Sequence, residues 1–338
     1  MDADRAKWAA RSRERSGTGR GDLAAGTNRA ESRGPRKVEL VRVHAFAKIN
    51  LALHVLGARR DGYHELRTTF QTLVLHDTLT FSASRGPFEI VCDDPACPVD
   101  RSNLVWRAAE RLWRAAGHRG APGGVRVRLA KRIPLQAGLG GGSSDAAAAL
   151  RALARLWRVT LARDRLRRIA IQLGADVPFF LEGGTVLGLN RGDVLRPQAD
   201  WPASWVVLVV PDFGVSSKDA YRWWDSARRT PLRPGARRRP ELRRSAGSAV
   251  PCGNDLEGPV AARHPEISRI VAALTRAGAH HAAMSGSGSA IFGLFHDRRA
   301  AETAAGRLGR PSRRALVTRT LGRAGYRIRA RLRVLGRS

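Results

Sequence analysis

Residues 134–145 read Pro-Leu-Gln-Ala-Gly-Leu-Gly-Gly-Gly-Ser-Ser-Asp, and no other stretch restricts the fold as tightly. Gly138, Gly140, Gly141 and Gly142 bring bare backbone amides together, and the hydroxyls of Ser143 and Ser144 follow. Upstream, Val125-Arg-Val-Arg-Leu129 alternates apolar and charged side chains, the period of a half-buried strand. Downstream, residues 146–156 are Ala, Leu and Arg, all strong helix formers. The predicted unit is strand, glycine loop, helix. The first amides of such a helix lack intrahelical partners and its dipole favours negative charge, so the loop is an anion site in waiting. Glycine suits it because a side chain would block close approach and because the turn can demand positive φ.

Residue identity narrows the kind of loop. The dinucleotide fingerprint needs a third glycine where Ser143 stands. The other common phosphate loop ends in Gly-Lys-Ser/Thr, and no lysine occurs between Lys131 and Lys218. Both are excluded. A plain glycine turn ahead of a helix stays open as the alternative until other segments are weighed.

The chain has 338 residues, 43% of them hydrophobic, enough core for two domains or one large one. Apolar runs such as Trp205–Val210 are too short to span a bilayer, and the N-terminus lacks the apolar centre of a secretory signal. Cys92, Cys97 and Cys252 have neither metal-knuckle spacing nor a nearby His pair, which predicts reduced thiols and a cytoplasmic location.

The net charge of +31 invites a nucleic-acid reading, so its placement matters. Residues 1–37 carry ten Lys/Arg and five Asp/Glu, residues 226–250 eight Arg and one Glu, and residues 310–338 ten Arg and no acid. Most of the excess thus falls in expected tails and one Arg/Pro-rich loop. Solvated basic tails are the expectation, with no specific nucleic-acid partner and no membrane partner.

Residues 1–37 show no apolar period and are expected to be a disordered basic extension. Their acidic residues argue against a transit peptide. Order is expected from Val38. Strands are predicted at about 38–56, 67–84 and 125–130, and helices at 103–116, 144–157 and 164–173, the last with Asp164 as N-cap and Gly174 beyond its end. A second unit starts at strand 205–210 and contains helix 265–277, strand 290–295 and helix 298–308. The expected organisation is an α+β protein with domains 38–197 and 198–321, the loop 226–250 inside the second, and a basic tail 322–338.

Four further segments carry chemistry. Ala45-Phe-Ala-Lys-Ile-Asn-Leu-Ala-Leu53 puts Lys48 and Asn50 two apart, hence on one face of an apolar strand. A cation there is costly without an anionic partner or ligand, unless its tip reaches water. Arg59-Arg-Asp-Gly-Tyr-His-Glu65 presents Tyr63 and His64 side by side, as a flat heterocycle would need or as any surface turn could do. Gly174-Ala-Asp-Val-Pro-Phe179 carries Asp176 past a helix end; it is a general base if it faces a substrate hydroxyl near Lys48, and a turn carboxylate otherwise. Ser285, Gly286, Ser287 and Gly288 form a second glycine loop ahead of a strand. Two Gly/Ser loops, a lysine and an aspartate are read most simply as a phosphoryl-transfer site.

In order and spacing, Ala47-Lys-Ile-Asn-Leu51, Arg60-Asp-Gly-Tyr-His64, the loop 134–145, Gly174-Ala-Asp-Val-Pro-Phe179, Asn254-Asp-Leu-Glu257, Ser285-Gly-Ser-Gly288 and Val317-Thr-Arg-Thr-Leu321 resemble the GHMP kinase superfamily, over about residues 38–321. The glycine loop marks the superfamily. Asp-Gly-Tyr-His with Gly-Ala-Asp-Val-Pro resembles those members that phosphorylate a methylerythritol bearing a cytidine diphosphate. The resemblance implies an N-terminal domain like the second domain of ribosomal protein S5, a ferredoxin-like C-terminal domain, and an active site in the cleft between them. It implies ATP and Mg²⁺ as cofactors, a small-molecule substrate, and a monomer or homodimer.

Carried over by residue, Asp176 is the base, and Lys48 holds it and the reacting oxygens. Pro134, Leu135, Gln136, Ala137, Gly138, Leu139, Gly140, Gly141, Gly142, Ser143 and Ser144 form the ATP loop, with Ser143 or Ser144 near Mg²⁺. Gln136 departs from the small residue often found there. Asn50, Tyr63 and His64 belong to the substrate side, with His64 on the cytosine edge and Tyr63 against its face. Tyr221 supplies the opposing aromatic wall, with Trp223 as its rival. Two other classes stay open here. A kinase for homoserine or mevalonate would not need Asp-Gly-Tyr-His, and a nucleic-acid-binding protein would need basic residues and aromatics interleaved on an ordered face.

Overall fold

The computed structural model describes residues 40–229, 243–244 and 251–335, all within one compact unit, Val38–Ser338. The expected extension 1–37 and most of the Arg/Pro-rich loop lie outside the described residues. Strands β1 (Leu40–Ala58) and β2 (His64–Pro87) form a long antiparallel hairpin. Strand β3 (Glu89–Cys92) runs parallel to β4 (Gly123–Ala130), and β4 pairs with β2 through residues 78–87. Lower on β2, residues 66–71 pair with β5 (Thr185–Asn190), which carries β6 (Val194–Pro197).

Helices α1 (Leu104–Ala115), α2 (Gly141–Leu156) and α3 (Arg163–Leu173) cover one face of this sheet. Helix α1 starts where the Asn103 side chain accepts the Val105 amide at 2.8 Å, and it buries Val105, Ala108, Ala109 and Leu112, a single face at helical spacing. Helix α2 buries every residue from Ser144 to Leu150, which explains the alanine run: larger side chains would not fit between the hairpin and its neighbours. Asp164 lies in the first turn of α3 and not at its N-cap, which is Ala162. A carboxylate one turn in still suits the helix dipole. A single turn, α4 (Phe179–Glu182), follows the Asp176 segment.

The second sheet contains β7 (Trp205–Pro211) and is reached through α5 (Ser217–Arg229), the short β8 (Arg243–Arg244) and β9 (Pro251–Asn254). Helices α6 (Glu257–Ala261) and α7 (Glu266–Arg276), the hairpin β10 (His281–Met284) and β11 (Ile291–Phe295), helix α8 (Arg298–Leu308) and β12 (Arg313–Arg319) complete it. The order β10-β11-β7-β12 with antiparallel pairing is the ferredoxin-like arrangement the resemblance implies. No helix of the described residues is long and apolar enough to cross a membrane.

Two strands cross the expected domain boundary. Strand β9 lies parallel to β1 at Ala52 and Leu53, and the last strand, reached through α9 (Arg323–Arg329), is β13 (Arg333–Leu335), antiparallel to β1 at Leu40–Arg42. The expectation of a loose basic tail at 322–338 is therefore corrected as far as Leu335. Tyr326 and Ala330, four apart on α9, are buried with Phe46 and Leu321. Two apolar contacts anchor a segment whose Arg327, Arg329, Arg331 and Arg333 are exposed, so composition alone disguised it.

Candidate active site

A break in strand register aims the site. Between Phe46 and Lys48 the β1/β2 pairing slips, and it slips again between Asn50 and Ala52. Before the first bulge, Val41, Val43 and Ala45 point into the core beneath α1–α3; after it, Ala47, Ile49 and Leu51 point at the second sheet. At the first slip β2 advances four residues while β1 advances two, and such an irregularity re-aims the side chains that follow it. Lys48 and Asn50 consequently turn towards the glycine loop, and the Lys48 amide donates to the Leu139 carbonyl at 3.0 Å. The strand is buried on both faces here, which is why its sequence is almost uninterruptedly apolar.

Lys48 is 3% exposed, so its tip does not reach water. Its ammonium donates to Asn50 Oδ1 at 2.6 Å and lies 3.4 Å from Asp176 Oδ2. Asn50 in turn donates to Thr68 Oγ1 at 2.7 Å, and Thr68 donates to the Ala52 carbonyl at 2.8 Å. A buried cation thus has both its carboxylate and a fixed amide partner, as burial of charge requires. Asp176 is the more open partner and lines a cavity of about 960 Å³ together with Lys48 and Asn50.

The glycine loop forms one wall of that cavity through Gln136, Gly138, Gly140 and Ser143. Gly138 and Gly140 have φ of 72°, and Gln136 has φ 51°. Pro134, Leu135, Ala137, Leu139, Gly141, Gly142 and Ser144 do not line it. Ala137 and Leu139 are core residues, and the Ser144 hydroxyl is buried without a hydrogen-bond partner. Behind the loop, Lys131 Nζ bridges Asp77 Oδ2 at 2.5 Å and Asp145 Oδ2 at 2.8 Å, while Asp77 Oδ1 accepts the Arg132 and Ile133 amides. Burial lifts the Asp145 carboxyl to about 7 against the pull of Lys131, and Asp77 adds to the rise. These contacts hold the chain as it enters the loop.

The second glycine loop closes onto the first. Ser285 Oγ donates to the Gly138 carbonyl at 3.0 Å, and the Ala290 amide donates to the Ala137 carbonyl at 3.1 Å. Asn254 Nδ2 donates to the carbonyls of Met284 and Gly286, and Glu257 accepts the Met284 amide at 2.8 Å. Gly286, Ser287 and Gly288 face the cavity, whereas Ser285 is wholly buried.

Tyr63, His64 and Tyr221 also line the cavity. His64 stacks on Tyr221 with centroids 4.7 Å apart, and its Nε2 is 3.0 Å from Asp225 Oδ1. Burial, and after it the charge of Asp176, pushes the Tyr221 hydroxyl well above its ordinary value. Trp223 lies away from the cavity, against His264 and Arg263, so of the two rivals Tyr221 is the one that faces it. Four charged lining residues, Arg191, Lys218, Arg222 and Asp225, escaped the sequence reading. Arg191 lies 4.8 Å over the Tyr63 ring, and Lys218 and Asp225 project from α5. Asp225 had a signal, since it follows Tyr221 by four residues and shares its helix face; Arg191 had none.

The residues present suit a nucleotide and a metal ion. The N-terminus of α2 supplies unpaired amides beside the cavity, and Lys218, Arg191 and Arg222 supply positive charge around it. Of the two candidate serines, Ser143 faces the cavity, as does the Asp176 carboxylate, an oxygen donor set of the kind Mg²⁺ accepts. No group of three or more His, Cys, Asp or Glu able to hold a metal occurs among the described residues, so phosphate oxygens and water would have to complete the shell.

Comparison with known proteins agrees with this geometry. The model of the GHMP kinases N-terminal domain matches residues 103–184, and that of the GHMP kinases C-terminal domain matches residues 235–312. A 4-diphosphocytidyl-2-C-methyl-D-erythritol kinase from Moorella thermoacetica is 43% identical over 289 residues, covering 84% of this chain and 100% of that protein. One from Solibacter usitatus is 45% identical over 301 residues, covering 84% and 91%. A crystal structure of a 4-(cytidine 5'-diphospho)-2C-methyl-D-erythritol kinase superposes with a TM-score of 0.67 at 37% identity, covering 82% of this chain and 98% of that one. A homoserine kinase from Cytophaga hutchinsonii, at 18% identity and a TM-score of 0.60, shares the fold.

Proposed function

Since the chain belongs to the GHMP kinases, in the branch of the 4-diphosphocytidyl-2-C-methyl-D-erythritol kinases, we propose that it transfers the γ-phosphoryl group of ATP to the 2-hydroxyl of 4-diphosphocytidyl-2-C-methyl-D-erythritol. The products are the 2-phosphate and ADP, in the non-mevalonate route to isoprenoid precursors. The observation that carries this reading is the match to a relative of that name over its whole length, at 43% identity. The cavity supports it, since a lysine–aspartate pair and an aromatic–imidazole cluster line it together.

In this reading the alcohol oxygen lies against Asp176, which takes its proton as the bond to Pγ forms and the bond from Pγ to the β-bridging oxygen breaks, its electron pair leaving with ADP. Lys48, held by Asn50, keeps Asp176 in place and sits where negative charge spreads over the transferring oxygens. The α2 N-terminus and Ser143 receive the phosphates of ATP. Mg²⁺, when bound at Ser143, supplies charge neutralisation across the phosphate oxygens. Tyr63 and Tyr221 take the faces of the cytosine, and His64, oriented by Asp225, reads its edge.

The proposal extends to a cytoplasmic enzyme acting as monomer or homodimer, the location in keeping with the free thiols of Cys92 and Cys97. It includes no specific nucleic-acid partner. A coupled ADP-release assay tests it. Turnover is expected with 4-diphosphocytidyl-2-C-methyl-D-erythritol and ATP, and not with homoserine or mevalonate. Preference for either control, or no turnover with the cytidine compound, would overturn it.

A further inference from the structure

The C-terminal segment reaches the site through a single side chain. Helix α9 is locked to the body at both ends. The Arg323 amide donates to the Asp200 carboxylate, its guanidinium donates to the Thr185 carbonyl at 2.6 Å, and Arg151 donates to the Ala330 carbonyl. Between these anchors Tyr326 is 4% exposed, and its hydroxyl donates to the carbonyl of Phe180. That carbonyl belongs to α4, one turn long, so it has no successor turn to receive a bond from. The amide that helical geometry would offer it, Gly184 N, is committed to Thr72 Oγ1 at 2.9 Å. Tyr326 supplies the missing donor. Burial pushes its hydroxyl up to about 12, so it remains a donor across the working range.

The ring of Tyr326 is as closely fitted as its hydroxyl. A Cβ on Gly183 would stand 2.1 Å from Tyr326 Cδ1, so glycine is the residue that lets the ring lie flat on the chain leaving α4. Within the turn the Phe179 amide donates to the Asp176 carbonyl at 3.2 Å and the Phe180 amide to the Val177 carbonyl at 3.2 Å, while from outside it the Phe180 carbonyl accepts from Tyr326. Phe180 is itself 1% exposed and stands behind the cavity wall, against the glycine loop. A Cβ on Gly140 would meet Phe180 Cζ at 2.8 Å and Lys48 Cγ at 3.0 Å, so the phenyl ring and the lysine stem both stand against the glycine loop at Gly140.

We infer that Tyr326 is a positioning residue for phosphoryl transfer, setting Phe180 and, through it, the glycine loop and Lys48. The inference rests on the kinase reading above. It goes beyond that reading in making the C-terminal segment part of the working site.

The test is Tyr326→Phe, which keeps the ring and removes only the donor. Ile328→Ala, on an exposed position of the same helix, is the control. Steady-state kinetics and titration calorimetry with a non-hydrolysable ATP analogue are measured, with circular dichroism to fix the folded fraction. Tyr326→Phe is expected to weaken analogue binding and lower kcat, each by about three- to tenfold, while KM for the cytidine compound stays within two-fold. Ile328→Ala should match the parent. Analogue affinity unchanged within two-fold would overturn the inference. So would a fall in kcat that merely tracks the folded fraction with both KM values constant, since that is a structural role alone. If the parent fails to turn over the cytidine compound, the substrate reading fails by itself, and the analogue affinities still decide the role of Tyr326.

Discussion

Asp176 and Lys48 form the charged pair on which the chemistry turns, and each was conspicuous as a charge in an apolar stretch. Asp176→Asn keeps the shape and removes the base, so kcat should fall by at least about 10²-fold while ATP-analogue affinity stays near that of the parent, and the melting curve should move down because buried Lys48 loses its anion. Near-normal kcat would remove the base assignment. The glycines were legible as a loop, but the reason for each was not. Sequence suggests that glycine leaves room for phosphate. In the structure a Cβ on Gly138 would lie 2.2 Å from the Ser285 carbonyl oxygen, and one on Gly140 would strike Phe180, so both are glycine because protein approaches them. Gly140→Ala should therefore cost about 1–3 kcal/mol in denaturant unfolding, through clash and the positive φ. Gly142→Ala should be neutral or stabilising by up to about 1 kcal/mol, because its Cβ would meet Leu104 Cδ1 at an ordinary 3.7 Å and it lies within α2. Equal loss in both variants would contradict this division.

At the level of elements, the long periodic ones were the readable ones. Helix 103–116 is found as Leu104–Ala115, helix 298–308 as Arg298–Leu308, and strand 290–295 as Ile291–Phe295. The bulges in β1 were invisible, since they follow from pairing with β2 and not from local preference. β13 was missed because three residues carry no period, and it holds its place by hydrogen bonds to β1. This junction should be sensitive to acid. His44 on β1 stacks on His76 at 4.2 Å, and burial, with His76, Arg333 and Arg42 nearby, lowers it to about 4. A histidine depressed in the folded state contributes stability that is present above its unfolded value near 6.5 and is lost as pH falls through the folded one. Amide exchange at Val41 and Val334 should therefore quicken between about pH 6.5 and 4, and His44→Gln should flatten the dependence. Exchange insensitive to pH after correction for intrinsic rates would show that His44 does not govern this edge.

Over the whole molecule, the charge is less peripheral than its sequence clustering suggests. Of the basic stretch 310–338, most arginines stand on β12, α9 and β13, so that part is body and not tail. Residues 1–37 remain the candidate for a dispensable basic segment. Removing them should leave kcat and KM within about two-fold, well short of the tenfold that ~1.4 kcal/mol would produce. It should also lessen salt-sensitive retention on a polyanion resin. A tenfold fall in kcat would make the extension part of the working enzyme. The pairing of Leu40 with Leu335 has a consequence in time. Contacts between such distant residues form late, because the intervening chain must first be gathered in. In synthesis, too, Tyr326 follows every other residue of the site. A nascent chain that has already assembled its glycine loops, Lys48 and Asp176 would still leave the Phe180 carbonyl without its donor. Such a chain carries the apparatus of catalysis before it carries the means of aligning it, and its competence arrives with its closing residues.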